Sequence, residues 1–379
     1  MDFRLTPDQA LIRDTVRQFC RDEVIPVAGR IDKSSEFPWD LTKRMAELGL
    51  LGMTVPSEWG GAGADYVSFA LTAEEITRGS ATLSVIFGAN NSLTCGPINA
   101  FGTKEQKERF LRKLASGEHL GSYALTEPQA GSDAARLQTT ARREGDTYVI
   151  NGQKTFITNG SIADLTLVFA TTDPKLGVKG ITAFIVPKGT KGLVIGEDFE
   201  KMGLHGSPTS QLLFDDCAVP ASQRLGAEGD GFKIAMTALD TGRIMAAAGS
   251  VGLARGALED SVAYAKERKT MGRPIIEHEA VAFMLAEIAT NVEAGRLLYL
   301  RAAHLRDQGQ RMTKEASIAK VFASEMAMDA TTKGIQIHGG NGYITDYSVE
   351  RYFRDVKIFE IFEGTSEIQR IVIAREMGL

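Results

Sequence analysis

The chain has 379 residues, 43% hydrophobic and 24% charged, the composition of a soluble globular protein long enough for two or three domains. Its 43 Lys and Arg against 48 Asp and Glu leave a net charge of -5, so it carries no basic footprint for nucleic acid. Cys20, Cys95 and Cys217 are odd in number and widely spaced, the five histidines are scattered, and no apolar run is long enough to span a bilayer, which argues against a disulfide framework, a metal site and a membrane protein.

The opening MDFRLTPDQALIRDTVRQF reads as an amphipathic helix without the apolar core of a signal peptide, and a cytoplasmic location is expected. Helical spacing recurs over Leu41 to Leu51 and Ala70 to Arg78, with breaks at Pro26, Pro38, Pro56 and Pro97, and marks residues 1–120 as helical. WGGAG at 59–63 follows a polar turn instead of a strand, so it fails as a dinucleotide loop. Over 121–226 the period changes to two. Tyr148 to Ile150 and Gln153 to Thr158 flank Asn151-Gly152, which predicts a hairpin with a type I′ turn. LTLVFATT from Leu165, ITAFIVPK from Ile181 and QLLFDDCAV from Gln211 add strands. In this β region Phe156 and Thr158 share one strand face and Ile157 takes the other. YALTEPQAGS from Tyr123 combines hydroxyls, glycine and turn residues that can bond a planar polar ring, although a plain loop is the commoner outcome.

Over 227–379 the helical period returns. Val281, Leu285, Ile288, Val292, Gly295 and Tyr299 mark one face of a long helix, and Thr313 is the expected N-cap of the next, up to about Ile337. With a further helix after Glu363 these predict a four-helix bundle and an α+β chain in the order helical, β, helical. Asp240 and Arg243 share a helix face at i, i+3, usually as a solvated ion pair. Arg268 stands in a basic cluster that suits a phosphate or a helix C-terminus. Gln336 to Tyr343, QIHGGNGY, is a Gly-rich helix exit in which His338 is expected to be a structural hydrogen-bonder. The last motif, IFEGTSEIQR from Ile361, is the most informative. Gly364 frees the backbone, Thr365 or Ser366 is the N-cap, and Ser366 with Gln369 has capping-box spacing. The helix start favours an anion, and Glu363 just before it is a candidate general base.

In this order YALTEPQAGSD, KTFITNG, KMGLHGSPTSQLLFDDCAVP, LDTGRI, ERKTMGRPI, QIHGGNGY and IFEGTSEIQR resemble the successive motifs of the FAD-dependent acyl-CoA dehydrogenases over nearly the whole chain. NNSL at Asn90 to Leu93, followed by GPI and FGTKEQK, resembles the short-chain, butyryl-CoA type. The resemblance implies an N-terminal helical domain (1–120), a β-barrel-like middle domain (121–226) and a C-terminal four-helix bundle (227–379). It implies that Glu363 removes the α-proton of an acyl-CoA while a β-hydride passes to flavin N5, forming a 2,3-enoyl-CoA whose electrons go to an electron-transfer flavoprotein. Members with Gly or Ala at that position take their base from the position that is Gly242 here. Tyr123, Ala124, Leu125, Thr126, Gly131 and Ser132 match the loop around the flavin, and Phe156, Ile157 and Thr158 the strand on its face. Thr365, Ser366 and Glu367 match residues near the FAD diphosphate and adenosine. Arg268, Met271, Glu279, Gln336, Ile337, Gly339 and Gly340 match groups that reach the FAD of a neighbouring subunit, which implies a homotetramer. Ser132, Asp240, Arg243 and Gly364 match contacts to CoA or the thioester.

Four positions depart from the family pattern. Phe156 stands for the usual Trp, Phe362 for Tyr, Met271 for Phe, and Glu279 for a Gln that meets the partner's FAD. A carboxylate near a diphosphate is unfavourable unless a cation such as Arg268 offsets it. Competing expectations are a flavin oxidase or monooxygenase, whose relatives often carry C-terminal extensions beyond the point where this chain ends, a dehydrogenase for branched, cyclic or dicarboxylic acyl groups, and a helical scaffold that holds flavin without turnover.

Overall fold

The computed structural model describes residues 4–379, so the first three residues of the opening segment lie outside it. Thr6 caps α1 (Pro7–Phe19) in a complete capping box with Gln9, and Pro7 takes the first helical turn. α2 (Ile25–Ser34), α3 (Trp39–Glu47), α4 (Tyr66–Gly79), α5 (Ala81–Gly88), α6 (Gly96–Phe101), α7 (Lys104–Gln106) and α8 (Arg112–Ala115) complete the helical first region. α4 is buried nearly throughout because it lies between α1 and the later helices.

The sheet is formed by β1 (Gly121–Ala124), β2 (Thr140–Glu144), β3 (Thr147–Thr158), β4 (Leu165–Thr171), β5 (Ile181–Pro187), β6 (Leu193–Asp198), β7 (Thr209–Pro220) and β8 (Arg224–Leu225). The order is β6-β7-β3-β2-β4-β5-β8, with β1 parallel to β4. β4 is a continuous apolar run because both its faces are covered. Leu165, Leu167 and Phe169 join a core with Ile234 and Ala235, while Val168 and Ala170 join Phe184 and Val186 on the other side.

The hairpin is present, but its turn is not at Asn151-Gly152. β2 and β3 pair from Thr140↔Asn151 to Glu144↔Thr147, so the chain reverses at Gly145-Asp146, where Gly145 has φ 60°. Asn151 lies inside the long strand β3 and exchanges hydrogen bonds with Asp216 of β7, at 3.0 and 2.8 Å. Gly152 marks a bulge, where a Cβ would lie 2.5 Å from the Thr139 hydroxyl.

The second helical region contains α9 (Gly231–Glu267), α10 (Glu279–Asp307), α11 (Thr313–His338), α12 (Ser348–Val356) and α13 (Ser366–Glu376), with a small hairpin, β9 (Lys269–Thr270) and β10 (Arg273–Pro274), between α9 and α10. α9 spans 37 residues, about 55 Å at 1.5 Å per residue. Its stretch Thr241 to Ala257 is buried at every position, and its many Gly and Ala residues let α4, α10 and α11 pack closely around it. Thr313 is the first residue of α11 and not its cap; its hydroxyl turns to Asp240 instead, at 2.7 Å.

A buried charge network ties the first region to the bundle. Arg255 bonds Glu74 at 2.7 Å and Glu75 at 2.6 Å, Arg296 bonds Glu74 at 2.8 Å, and Arg17 reaches Glu75 at 2.7 Å. Each charge is matched, as burial requires. Among the described residues no helix is long and apolar enough to cross a membrane.

Candidate active site

The turn before α13 holds Glu363 in an unusual backbone. Glu363 has φ 56° and Gly364 has φ 90°, two successive left-handed residues of which the first carries a side chain and is strained. The turn is kept by hydrogen bonds to its carbonyls. The Gln369 amide donates to the Glu363 and Gly364 carbonyls at 3.0 and 2.8 Å, and the Lys320 ammonium donates to the Gly364 carbonyl at 2.8 Å. Among the described residues the Glu363 N–H has no backbone acceptor.

This turn lays the carboxylate of Glu363 on α9. A Cβ added to Gly242 would lie 2.4 to 2.6 Å from the carboxylate atoms, so the Glu363 side chain occupies space that only glycine leaves open. Its Oε2 is enclosed and has no partner. Burial pushes the Glu363 carboxyl up to about 7, against the opposing pull of Arg243 and Lys320. Tyr123 of β1 feels the Glu363 charge as well, and burial with that charge pushes its phenol well above the usual range. Its hydroxyl meets the Ala235 carbonyl of α9 at 3.4 Å. β1, α9, α11 and the start of α13 thus converge on one enclosed carboxylate.

Thr365, and not Ser366, is the N-cap of α13, accepting from the Ile368 N–H at 3.3 Å. No capping box forms, because Gln369 is used by the base turn. Ser366 Oγ and Gln369 Oε1 are left buried without partners beside the helix start, and Glu367 is exposed. Orphaned donors and acceptors at a helix N-terminus suit a phosphate-bearing ligand.

Asp240 and Arg243 pair at 2.8 Å, with Arg243 only 5% exposed and its Nε unpartnered. The pair is partly buried near Glu363, and Thr313 holds Asp240 on its other side.

In the sheet, Phe156 has φ 57° at a bulge in β3 and is 65% exposed, tilted against Phe199 with ring centroids 5.0 Å apart. Ile157 is buried and Thr158 half-buried, as strand alternation requires. The backbone N–H of Thr155 reaches the Thr126 carbonyl at 2.9 Å, which lays the Tyr123–Thr126 segment beside this strand. Ala124 and Leu125 are buried, so they offer only backbone to a ligand, whereas Thr126 is half-buried and Gly131 and Ser132 are exposed.

Sequence reasoning missed what holds this segment. Lys154, wholly buried, donates to the Leu125 carbonyl at 3.1 Å and to Glu127 at 2.7 Å, and Glu127 also accepts from the Gln138 and Thr139 N–H groups at 2.6 and 2.9 Å. Burial alone would raise the Glu127 carboxyl, but the Lys154 ammonium and these bonds hold it below the usual range. In the sequence Lys154 stands among Asn151, Gly152, Gln153 and Thr155, so no local signal sets it apart from a surface lysine.

The remaining candidates gather elsewhere. Arg268 ends α9, 25 positions beyond Arg243, about 37 Å along the helix. Met271 and Gly272 form the turn of the β9–β10 hairpin with φ 51° and 82°, and Met271 is 96% exposed. Glu279 opens α10, and Gln336, Gly339 and Gly340 lie exposed at the exit of α11. Ile337 packs inward with Ala265, Ile275 and Leu285. His338 Nδ1 meets the Gly334 carbonyl at 2.8 Å and stacks on Tyr264, a structural role as expected.

An enclosed carboxylate thus stands against α9 at the start of α13, and the Tyr123–Thr126 segment runs from β1 beside it to the strand that exposes Phe156. Family models of the acyl-CoA dehydrogenase N-terminal, middle and C-terminal domains match residues 6–118, 122–217 and 229–378. The chain belongs to the acyl-CoA dehydrogenase family, a family of FAD-dependent oxidoreductases. It is 47% identical to the short-chain specific acyl-CoA dehydrogenase of Clostridium acetobutylicum, over 99% of each chain. The butyryl-CoA dehydrogenase structure from Megasphaera elsdenii superposes with a TM-score of 0.98 at 42% identity, covering 100% of both chains. A chain in a structure of the electron transferring flavoprotein of Acidaminococcus fermentans also superposes with a TM-score of 0.98, at 46% identity, covering 100% of this chain and 99% of that one.

Proposed function

We propose that this chain oxidises a short-chain acyl-CoA thioester to the 2,3-enoyl-CoA and passes the electrons to an electron-transfer flavoprotein. The observation that carries the reading is the Glu363 carboxylate enclosed against Gly242, with Oε2 unpartnered and its acidity moved to about 7. A carboxylate so desolvated is a stronger base than one in water, as abstraction of an α-proton requires. FAD, when bound, supplies the acceptor for the β-hydride.

The residues present fit that cofactor. Phe156 offers an open aromatic face, Thr126 and Thr158 offer half-buried hydroxyls beside it, and Ser366 Oγ waits unpartnered at the start of α13. The chain's own part in the chemistry follows from the base turn. Glu363 receives the proton at its carboxylate. The Glu363 N–H, which has no backbone acceptor among the described residues, is available to the thioester oxygen, where negative charge grows. Asp240, Arg243, Ser132 and Gly364 line the approach of the CoA portion. We read 1–120, 121–226 and 227–379 as the three functional parts of the chain.

The packing of α9 beyond Gly242 supports a short acyl group. On α9 the face that begins at Gly242 continues to Met245 and Gly249. Met245 is buried, with its Cε 2.2 Å from where a Gly88 Cβ would stand, and the Phe359 ring lies 2.8 Å from a Cβ placed on Gly249. Each added methylene has to displace these atoms, at about 1–3 kcal/mol for overpacking. Butyryl-CoA is therefore expected to exceed octanoyl-CoA and palmitoyl-CoA several-fold to a hundred-fold in kcat/KM, measured with electron-transfer flavoprotein or an artificial acceptor. An optimum at twelve carbons or more, or activity only on a cyclic or aromatic acyl group, refutes the short-chain assignment and leaves the base standing.

The cluster of Arg268, Met271, Glu279, Gln336, Gly339 and Gly340 is too far along α9 to serve the same flavin, so we assign it to the flavin of a second copy in a homotetramer. Arg268→Ala is expected to lower FAD content and tetramer stability together, read by absorbance and light scattering. A stable tetramer with full FAD overturns the assignment. Cys20, Cys95 and Cys217 are free and buried, with burial pushing each thiol up, which suits a reducing compartment and the cytoplasm.

A further inference from the structure

We propose that Lys320 is the positioning residue of the base: its ammonium holds the Gly364 carbonyl, keeps the left-handed turn that aims Glu363, and adds the positive charge that keeps the Glu363 carboxylate ionised. The inference deepens the proposed activity and rests on Glu363 being its base.

Lys320 is a lone cation on the buried face of α11, among Ala316, Ala319, Ala323 and Ala327. A wholly buried lysine is costly unless something repays its desolvation. Its ammonium donates to the Gly364 carbonyl, at 2.8 Å, and the charge acting on it most strongly is Glu363. Packing does not need this group, since an apolar side chain of similar length would fill the same space among alanines. What it supplies is specific to the turn. The Gly364 carbonyl accepts from both Lys320 and Gln369 while Gly364 is at φ 90° and Glu363 at φ 56°, so these bonds pin the left-handed turn from its second residue. A strained backbone persists only where its surroundings over-determine it.

The electrostatic part has a definite sign. Facing Glu363 are Arg243 of α9, itself held by Asp240, Lys320 of α11, and Tyr123 of β1. Around Lys320 itself lie Arg243 of α9, which opposes its charge, and Glu360 before the base turn and Glu325 on its own helix, which favour it; Lys320 in turn acts on Glu367 of α13, beside Arg370. A cation beside the carboxylate favours the ionised form, which is the form that accepts a proton. Removing the cation raises the carboxyl, so the rise of rate with pH moves to higher pH.

The test uses holoenzyme and anaerobic mixing with butyryl-CoA, following flavin bleaching from pH 5.5 to 9. If the wild type is not bleached by this or any acyl-CoA, the proposed activity fails, whatever Lys320 does. Given bleaching, Lys320→Met is expected to slow reduction about tenfold or more at pH 7 and to move the rising limb up by about one pH unit, with butyryl-CoA affinity changed little. Lys320→Gln keeps a donor without charge, so the limb stays shifted while the rate partly recovers; Lys320→Arg keeps the charge and returns the limb toward wild type. A limb that stays in place in both neutral variants overturns the electrostatic role. A lowered melting temperature with unchanged rate and limb makes Lys320 a packing residue only. Should Lys320→Met fail to fold, the Gln and Arg variants decide between these results.

Discussion

Glu363→Gln is expected to retain FAD and to bind acyl-CoA, yet to be reduced by butyryl-CoA roughly 10²-fold to 10⁴-fold more slowly than wild type, the usual span for loss of a general base. Gln has the same length and branching, so it fits the space over Gly242. The hydrogen bonds that form the turn go to backbone carbonyls and survive the change. The backbone N–H available to the thioester oxygen is also unaltered, which leaves proton abstraction as the one function removed. Rapid-mixing absorbance under anaerobic conditions separates the steps, because binding appears in the saturation constant and proton transfer in the limiting rate. A limiting rate within a factor of a few of wild type would place the base elsewhere.

The second large effect is expected at Lys154→Met. The side chains of Lys154 and Glu127 are 0% and 1% exposed, and breaking one partner of such a pair typically costs about 3–5 kcal/mol, since the other is left buried and uncompensated. Glu127 also carries the Gln138 and Thr139 N–H groups, so its disturbance reaches the Tyr123–Thr126 segment and the Phe156 strand together. Unfolding in urea should report the loss, and FAD content the loosened platform. Lys154→Met combined with Glu127→Leu should recover part of the stability, because two apolar side chains leave no stranded charge, while FAD retention stays low. Wild-type stability and full FAD content in the single variant would refute the role given to this pair.

Much of this protein is legible from local pattern. The apolar runs of β4 and β5 declare strands because burial on both faces demands them, and the order of short motifs around Glu363, Phe156 and Thr126 carries the resemblance to the family whose three domains match the chain. Where pattern misled, a local signal was overruled by a partner distant in the chain. Asn151-Gly152 has the residues of a tight turn, yet the pairing of β3 with β7 absorbs it as a bulge, and Gly145 turns the chain instead. Thr313 has the look of a cap, but Asp240, 73 residues away, claims its hydroxyl. Ser366 and Gln369 have the spacing of a capping box, but the Glu363 and Gly364 carbonyls claim Gln369. Glu363 could be proposed as the base from one dimension; its acidity could not be read there, because desolvation and the charges of Arg243 and Lys320 depend on which helices stand around it. Lys154 and Lys320 look like surface lysines in the sequence and become buried cations only when sheet and bundle close over them.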